Sequence, residues 1–555
     1  MFYMDDDLFT FIVGGKAGQG VKKTGAVASQ LFIDLGRQVF QMDDYMSLIR
    51  GGHNFSVVST STSWISSHYM NADLIVAFDK RSYDNHIGKL TRGGIMVYNS
   101  DEKGDMEGIG VPFTRESKKY PMKDLMFGVG AIGILSSALG FDKSEMAKII
   151  KKEYPRGIED NIEFANLLCD RVNPQIYGKF KINRGDKKRS ILFGNQAIAL
   201  GAIAGGLDVY YAYPMTPASS ILHYLARKAE DFRLAVIHPE SEIAVMNMAV
   251  GSSFTGAKTM VGTSGGGFAL MVEGLSLAGI TEAPVLCVLS MRPGPATGVP
   301  TYTEQADLNF ALNAGHGEFL RIVASPGTIE QAYYLTAEML DLVSKFQTPG
   351  ILLTEKHLSE SNMTVDIDIE KAKWAESLVN NEGGYKRYLE TEDGISPMQY
   401  PPTNEIIKWN SYEHDDLGIT TEDPDWTVRM HDKRNKKLET LISYMETMNT
   451  VNIYRGEGPL NIFTYGSTTM SVLEGMKYNG MDHTVVQPIY LKPLPTWNLE
   501  EFIEGPNIVV EQSSTEQFAN LLREKADLEI EIVIKQYDGR PFDPIDLAQK
   551  IKEVL

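Results

Sequence analysis

Tyr213-Pro214-Met215-Thr216-Pro217 decides the fold when it is set beside Thr263-Ser264-Gly265-Gly266-Gly267 and Ser290-Met291-Arg292-Pro293-Gly294-Pro295. Each stretch follows or ends a short apolar run of the kind that forms a buried strand, at 209–212, 259–262 and 284–289. The first two lead into helical patterns over 218–229 and 268–278. Strand, turn and helix in repetition encode a parallel sheet with crossover helices. Ligands of such sheets sit beyond the carboxyl ends of the strands. The hydroxyl of Thr216, the glycine-rich backbone at 265–267 and the guanidinium of Arg292 are therefore expected at one cleft. That set of groups suits a small carboxylate.

Working outward, 555 residues predict three or four domains at about 100–200 residues each. A hydrophobic content of 43% with 23% charged residues is ordinary for a globular chain. A net charge of −19 argues against nucleic acid as a partner. No apolar run reaches the roughly 20 residues needed to span a bilayer. The acidic start at 1–7 runs into a strand pattern and does not read as a signal peptide, so a cytoplasmic protein is expected. The only cysteines are Cys169 and Cys287, and both are expected to be buried. Without a Cys-x-x-Cys pair the chain alone builds no iron–sulfur cluster or thiolate zinc site. Any redox centre has to come from another chain.

The pattern divides the chain into four parts: 1–189, 190–358, a polar connector at 359–456, and 457–555. The first opens with a strand at 9–13, a glycine-rich loop at 14–20 and a helix at 21–35, and ends rich in lysine. The second holds the opening motifs between a helix at 194–204 and a strand at 350–354. The connector reads as polar loops followed by one charged helix at 433–447; its length predicts an interface or a functional role. The last part returns to α/β, with strands at 460–465, 484–490, 507–510 and 530–534. Its helices are expected at 468–478, 516–525 and 544–554.

Several motifs carry chemistry beside a plainer reading. The Gly14 to Gly20 loop, with Lys16, suits an anion at a helix amino end, and Asp43-Asp44 ends the next strand. A nicotinamide site would use that pattern; a tight structural turn is the rival. Arg50-Gly51-Gly52-His53 reads as a turn carrying two polar side chains, either a ligand-facing loop or a plain turn. Glu240 reads as a cap at a helix start. Glu242 directly precedes an apolar run, and the burial this implies suits a carboxyl to proton transfer. Arg292, ending an apolar strand, needs an anion: a ligand, or a structural acid. The loop at 297–305 is either a lid or an ordered surface loop. Glu413-His414-Asp415 reads as a solvated loop rather than a metal site, and 537–542 as a turn anchoring the last domain.

Taken in order, these motifs resemble the alpha subunits of 2-oxoacid:ferredoxin oxidoreductases that carry a gamma domain fused at the amino terminus. The 2-oxoglutarate branch is the most similar. The resemblance spans nearly the whole chain. It implies three α/β domains with largely parallel sheets: a gamma-type domain (1–189), a pyrimidine-binding domain of thiamine-diphosphate enzymes (190–358) and, after the connector, a transketolase-C-terminal-like domain (457–555). The implied reaction is CoA-dependent oxidative decarboxylation of a 2-oxoacid to an acyl-CoA, with electrons passed to ferredoxin.

The resemblance also implies roles. Thr216 and Arg292 hold the substrate. Glu242 faces the aminopyrimidine of thiamine diphosphate, with Tyr213, Pro214, Gly265 and Gly266 beside the cofactor. No Gly-Asp-Gly segment is present, so Mg²⁺ and the [4Fe–4S] clusters are expected in a beta subunit. CoA is expected near the amino-terminal domain, where Lys16 and the lysine-rich end would meet its phosphates. Met215 and Ala296 stand where the family favours isoleucine and serine; Lys16-Ala17, Ser513 and Glu516 also depart from its pattern. Pyruvate or mixed 2-oxoacids are alternative substrates. A nicotinamide-dependent dehydrogenase and a non-catalytic assembly subunit are the alternatives of another class.

Overall fold

The run around Cys287 is buried at every position, so it forms the strand Val285–Met291 in the middle of a sheet rather than at an edge. The structure, a computed structural model, describes residues 7–47, 51–380 and 383–554. Arg50 and Glu382 lie outside the described residues. Among the described residues, three mixed sheets of eight, seven and five strands carry the chain, which is the α/β class expected. The seven- and five-stranded sheets are largely parallel, whereas four of the seven pairings in the eight-stranded sheet are antiparallel.

The seven-stranded sheet runs Tyr490–Lys492, Ile322–Ala324, Gly350–Glu355, Val285–Met291, Thr259–Thr263, Val209–Tyr211, Ala235–Ile237. All of its pairings are parallel except that of Tyr490–Lys492. Register sets Tyr211 beside Val261, Thr263 beside Leu289 and Met291 beside Glu355. The segments that follow Tyr211, Thr263, Met291 and Glu355 therefore all emerge at one edge. The helices Ser219–Phe232, Glu242–Phe254 and Gly265–Thr281 form the crossovers.

The eight-stranded sheet differs from expectation. The strand Phe9–Ala17 continues through Gly14 and Gly15, which pair antiparallel with Phe55 and Asn54. The glycine-rich loop is thus mostly strand, and only the tight turn at 18–20 precedes the helix Val21–Asp34. Gly51–His53 begin the long strand Gly51–Ser61 rather than a turn. Its positive-φ glycines hid this: Gly51 at 76° and Gly52 at 72° still allow ladder bonding. Ser190–Phe193 and Asn362–Val365 complete this sheet's edge.

The expected strand at 484–490 splits. Thr484–Pro488 stays in the five-stranded sheet, while Tyr490–Lys492 pairs with Ile322–Ala324 of the middle sheet. Ile489 is the hinge: its N–H donates to Thr450 and its carbonyl accepts from Ser325. In the connector, the helix Pro424–Met445 starts earlier than expected. Asp423 caps it by accepting from Asp425 and Trp426 N–H, and Pro424 fills the first position, where no N–H is needed. Lys433 and Lys437 of this helix both bond the fully buried Glu282 carboxylate. Arg387 donates to the Thr281 and Glu282 carbonyls at 3.0 and 2.9 Å. Cys169 and Cys287 are buried and unpaired. Among the described residues no helix is long and apolar enough to cross a membrane.

Candidate active site

Glu242 opens the helix Glu242–Phe254, behind the cap Ser241, whose hydroxyl accepts from Ala244 N–H at 3.4 Å. The cap is Ser241 and not Glu240, which is exposed. Glu242 is only 3% exposed, and its Oε1 has no hydrogen-bond partner among the described residues. A Cβ at Gly267 would stand 2.4 Å from that oxygen and 2.1 Å from Thr263 Oγ1. Only glycine lets the carboxylate lie against the first turn of the helix Gly265–Thr281. The Ser264 hydroxyl, at the same helix end, is also buried without a partner among the described residues. Free N–H groups and the positive end of the helix dipole point to that place.

Arg292 leaves the strand Val285–Met291, and its Nη1 donates to the Thr216 carbonyl at 2.6 Å. The contact is to the Thr216 backbone rather than to its hydroxyl. The acid whose charge acts on Arg292 is Asp307, which no sequence pattern singles out. A Cβ at Gly265 would meet Asp307 Oδ2 at 2.5 Å, so this carboxylate also rests on the helix start. Burial pushes the Asp307 carboxyl up to about 6, and Arg292 works against the shift. Burial lowers the Arg292 guanidinium, and Asp307 opposes that. Glu242 and Asp307 thus lie against Gly267 and Gly265, within one turn of the same helix. Gly266, between them, is exposed toward the Ala296 carbonyl. Thr216, Arg292, Gly265, Gly266 and Glu242 are thereby linked. Tyr213 is 40% exposed and meets the edge of His238, with ring centroids 5.8 Å apart. Pro214 is half-buried at the same sheet edge.

The loop after Arg292 is exposed from Gly294 to Val299 and then becomes fixed. Thr303 N–H donates to the Gly539 carbonyl at 3.1 Å, and Gln305 N–H to the Gln512 carbonyl at 2.7 Å. Arg540 lies 3.8 Å over the Tyr302 ring, with its Nε 3.6 Å from Asp44. The turn at 537–542 therefore ties together all three sheets. Glu355 ends its strand fully buried and accepts from Ser467 N–H at 2.6 Å. Burial pushes its carboxyl up to about 7. Neither Glu355 nor Asp307 belongs to a pattern that spacing reveals, because each acts through a segment distant in sequence.

Other expectations are corrected. Glu413 and His414 are not solvated: Arg434 grips Glu413 at 3.0 and 2.6 Å, and His414 is buried with its ring 3.9 Å from that of Tyr388. Among the described residues no three His, Cys, Asp or Glu are grouped to hold a metal ion. Gly14 and Gly15 leave no cradle for a pyrophosphate: Ser82 and Phe78 side-chain atoms fill the space at 2.9 and 2.8 Å from where a Cβ would stand. Lys188 and Lys152 are paired with Asp34, at the far end of the helix from Lys16. Fourteen residues at about 1.5 Å each separate the two ends, so these lysines do not share a phosphate with Lys16.

A family described as pyruvate flavodoxin/ferredoxin oxidoreductase, thiamine diphosphate-binding, matches residues 200–432. One described as pyruvate ferredoxin/flavodoxin oxidoreductase matches 10–167. A 2-oxoacid:ferredoxin oxidoreductase subunit alpha from Sulfolobus sp is 28% identical over 98% of this chain and 97% of its own. The 2-oxoglutarate synthase subunit KorA of Archaeoglobus fulgidus is 34% identical over 41% of this chain and 67% of its own. A solved 2-oxoglutarate:ferredoxin oxidoreductase from Magnetococcus marinus, with 2-oxoglutarate, coenzyme A and succinyl-CoA bound, superposes with a TM-score of 0.90. It is 28% identical, covering 99% of this chain and 100% of that one. The chain belongs to the 2-oxoacid:ferredoxin oxidoreductase family, as an alpha subunit.

Proposed function

We propose that the edge carrying Glu242 and Arg292 is this subunit's half of the active site, and that the substrate is 2-oxoglutarate. The observation that carries the site is the buried Glu242 oxygen without a partner among the described residues, one helix turn from Asp307, whose charge acts on Arg292. An unpartnered buried carboxylate oxygen is costly unless a ligand completes it. The aminopyrimidine of thiamine diphosphate fits, since its ring nitrogen can share a proton with Oε1. When bound, the cofactor supplies the electron-accepting ring chemistry that lets a 2-oxoacid lose CO2.

The chain's own groups do the rest. Glu242 holds the shared proton at Oε1, and Gly267 keeps room for the carboxylate. Gly265 and Gly266 offer backbone N–H groups, with Tyr213 and Pro214 on the pyrimidine side. Arg292, anchored by the Thr216 carbonyl, presents its remaining donors to a substrate carboxylate, and Thr216 adds its hydroxyl. Asp307 opposes the Arg292 charge.

A beta subunit would bring Mg²⁺ for the diphosphate and the [4Fe–4S] clusters that pass electrons to ferredoxin, with CoA accepting the acyl group. We divide the chain at 1–189, 190–358, 359–456 and 457–555. The two buried, unpaired thiols suit the reducing cytoplasm. The 2-oxoglutarate reading rests on the KorA relative and the Magnetococcus marinus enzyme. The test is a panel of 2-oxoglutarate, pyruvate and 2-oxoisovalerate, with CoA and a viologen dye, on the chain purified with its beta partner. The highest kcat/KM is expected for 2-oxoglutarate. A higher value for pyruvate overturns the substrate, and dye reduction without any 2-oxoacid dependence overturns the site.

A further inference from the structure

Away from the Glu242 edge, a second cavity of about 770 Å³ opens where three parts of the chain meet. Its walls come from 309–321, from the connector helix Pro424–Met445, and from C-terminal residues 491–496 and 520–525. It falls within the roughly 300–1,000 Å³ of small-molecule sites. Leu312, Phe319, Leu438, Ile442, Leu494 and Leu521 make its sides apolar.

Its polar end is cationic. Arg321 is 4% exposed; one terminal nitrogen bonds the Ala314 carbonyl, and Nε has no partner among the described residues. Lys492 follows the strand switch at Ile489, pairs with Val323 beside Arg321, and donates to the Leu312 carbonyl at 2.7 Å. Burial lowers Arg321 to about 10. Burial, then Arg321 and Lys525, lower Lys492 to about 8. Among the described residues no acid offsets either shift. The acids lining the cavity, Glu318 and Glu524, are exposed at its rim, and Glu524 already pairs with Lys525 at 2.8 Å. Two cations drawn out of water without a counter-charge favour an anion between them. Phe319, 4.3 Å from the Arg321 guanidinium, holds that group in place without neutralising it.

We propose that this cavity is a second ligand site, which takes an amphiphilic anion: a carboxylate or phosphate head between Arg321 and Lys492, and an apolar body along the leucine-rich walls. The reading is independent of the substrate assigned to Arg292.

Calorimetric titration of the complete enzyme with octanoate, octyl phosphate and inorganic phosphate tests it. At least one amphiphile binds saturably, and its preference over the other identifies the head group. Arg321→Met and Lys492→Met each weaken that binding by roughly tenfold or more, the loss of a charge-assisted hydrogen bond. Leu438→Trp, at a wall position 41% exposed, blocks the body without touching either cation. Should Arg321→Met fail to fold, the other two variants carry the test. The site is overturned by no saturable binding of either amphiphile, by affinity unchanged in the variants that fold, or by inorganic phosphate binding as tightly as octyl phosphate.

Discussion

Glu242 and Glu282 are both buried glutamates at helix ends of the seven-stranded sheet, yet their surroundings are opposite. Glu282 ends the helix Gly265–Thr281 in the left-handed region, at φ 54°, and is saturated by Lys433 and Lys437, with Arg387 on the adjoining carbonyls. Burial alone would raise its carboxyl, but the three cations hold it well below the usual range. Glu242 keeps one oxygen without a partner among the described residues and has a glycine cleared for it. The difference separates a charge that fastens the connector to the sheet from one held ready for a ligand. Polar saturation, not burial, tells them apart.

The sharpest way to break the contrast is Glu242→Gln. Turnover of the complete enzyme should fall by ~10²–10⁴-fold, with the thermal midpoint unchanged or raised; steady-state kinetics beside a melting curve reads both. Glu282→Gln should do the reverse. It strands three cations, so unfolding in denaturant should lose about 3–5 kcal/mol, while turnover per folded molecule stays near wild type. Gly267→Ala tests the cleared space. Its Cβ collides with Glu242 Oε1 and Thr263 Oγ1, for about 1–3 kcal/mol of stability and a loss of turnover that Gly266→Ala does not share.

The smallest effect is expected at Asp307. Its folded value, about 6, lies above the unfolded value of about 3.9. The native state therefore binds the proton more tightly than the unfolded chain. Asp307 costs no stability below about pH 4, and its cost grows as pH rises to about 6 and is complete above it. Asp307→Asn should flatten that decline and stabilise the protein at neutral pH by ~1 kcal/mol. Denaturant midpoints measured between pH 4 and 7 check the slope.

The sheet edge was legible because buried parallel strands read as unbroken apolar runs ending in turn formers, as at Val285–Met291. Gly51–Ser61 was not, because two glycines and two polar residues open it. Ser190–Phe193 and Asn362–Val365 are too short to show a period, and only tertiary pairing makes them strands. In the site, Glu242 stood out by its apolar sequel, whereas Asp307 gains meaning only when the chain folds back onto Gly265. Glu413-His414 looked exposed since Arg434 and Tyr388, which enclose them, lie some distance away in sequence.

The crossing of the chain at Ile489 has a practical outcome for anyone who would cut the protein into pieces. Severed before residue 457, the larger fragment would keep Ile322–Ala324 as a bare sheet margin with open N–H and C=O groups. Such margins invite self-association. The terminal fragment, in turn, would carry Tyr490–Lys492 as a flap with nothing to zip onto.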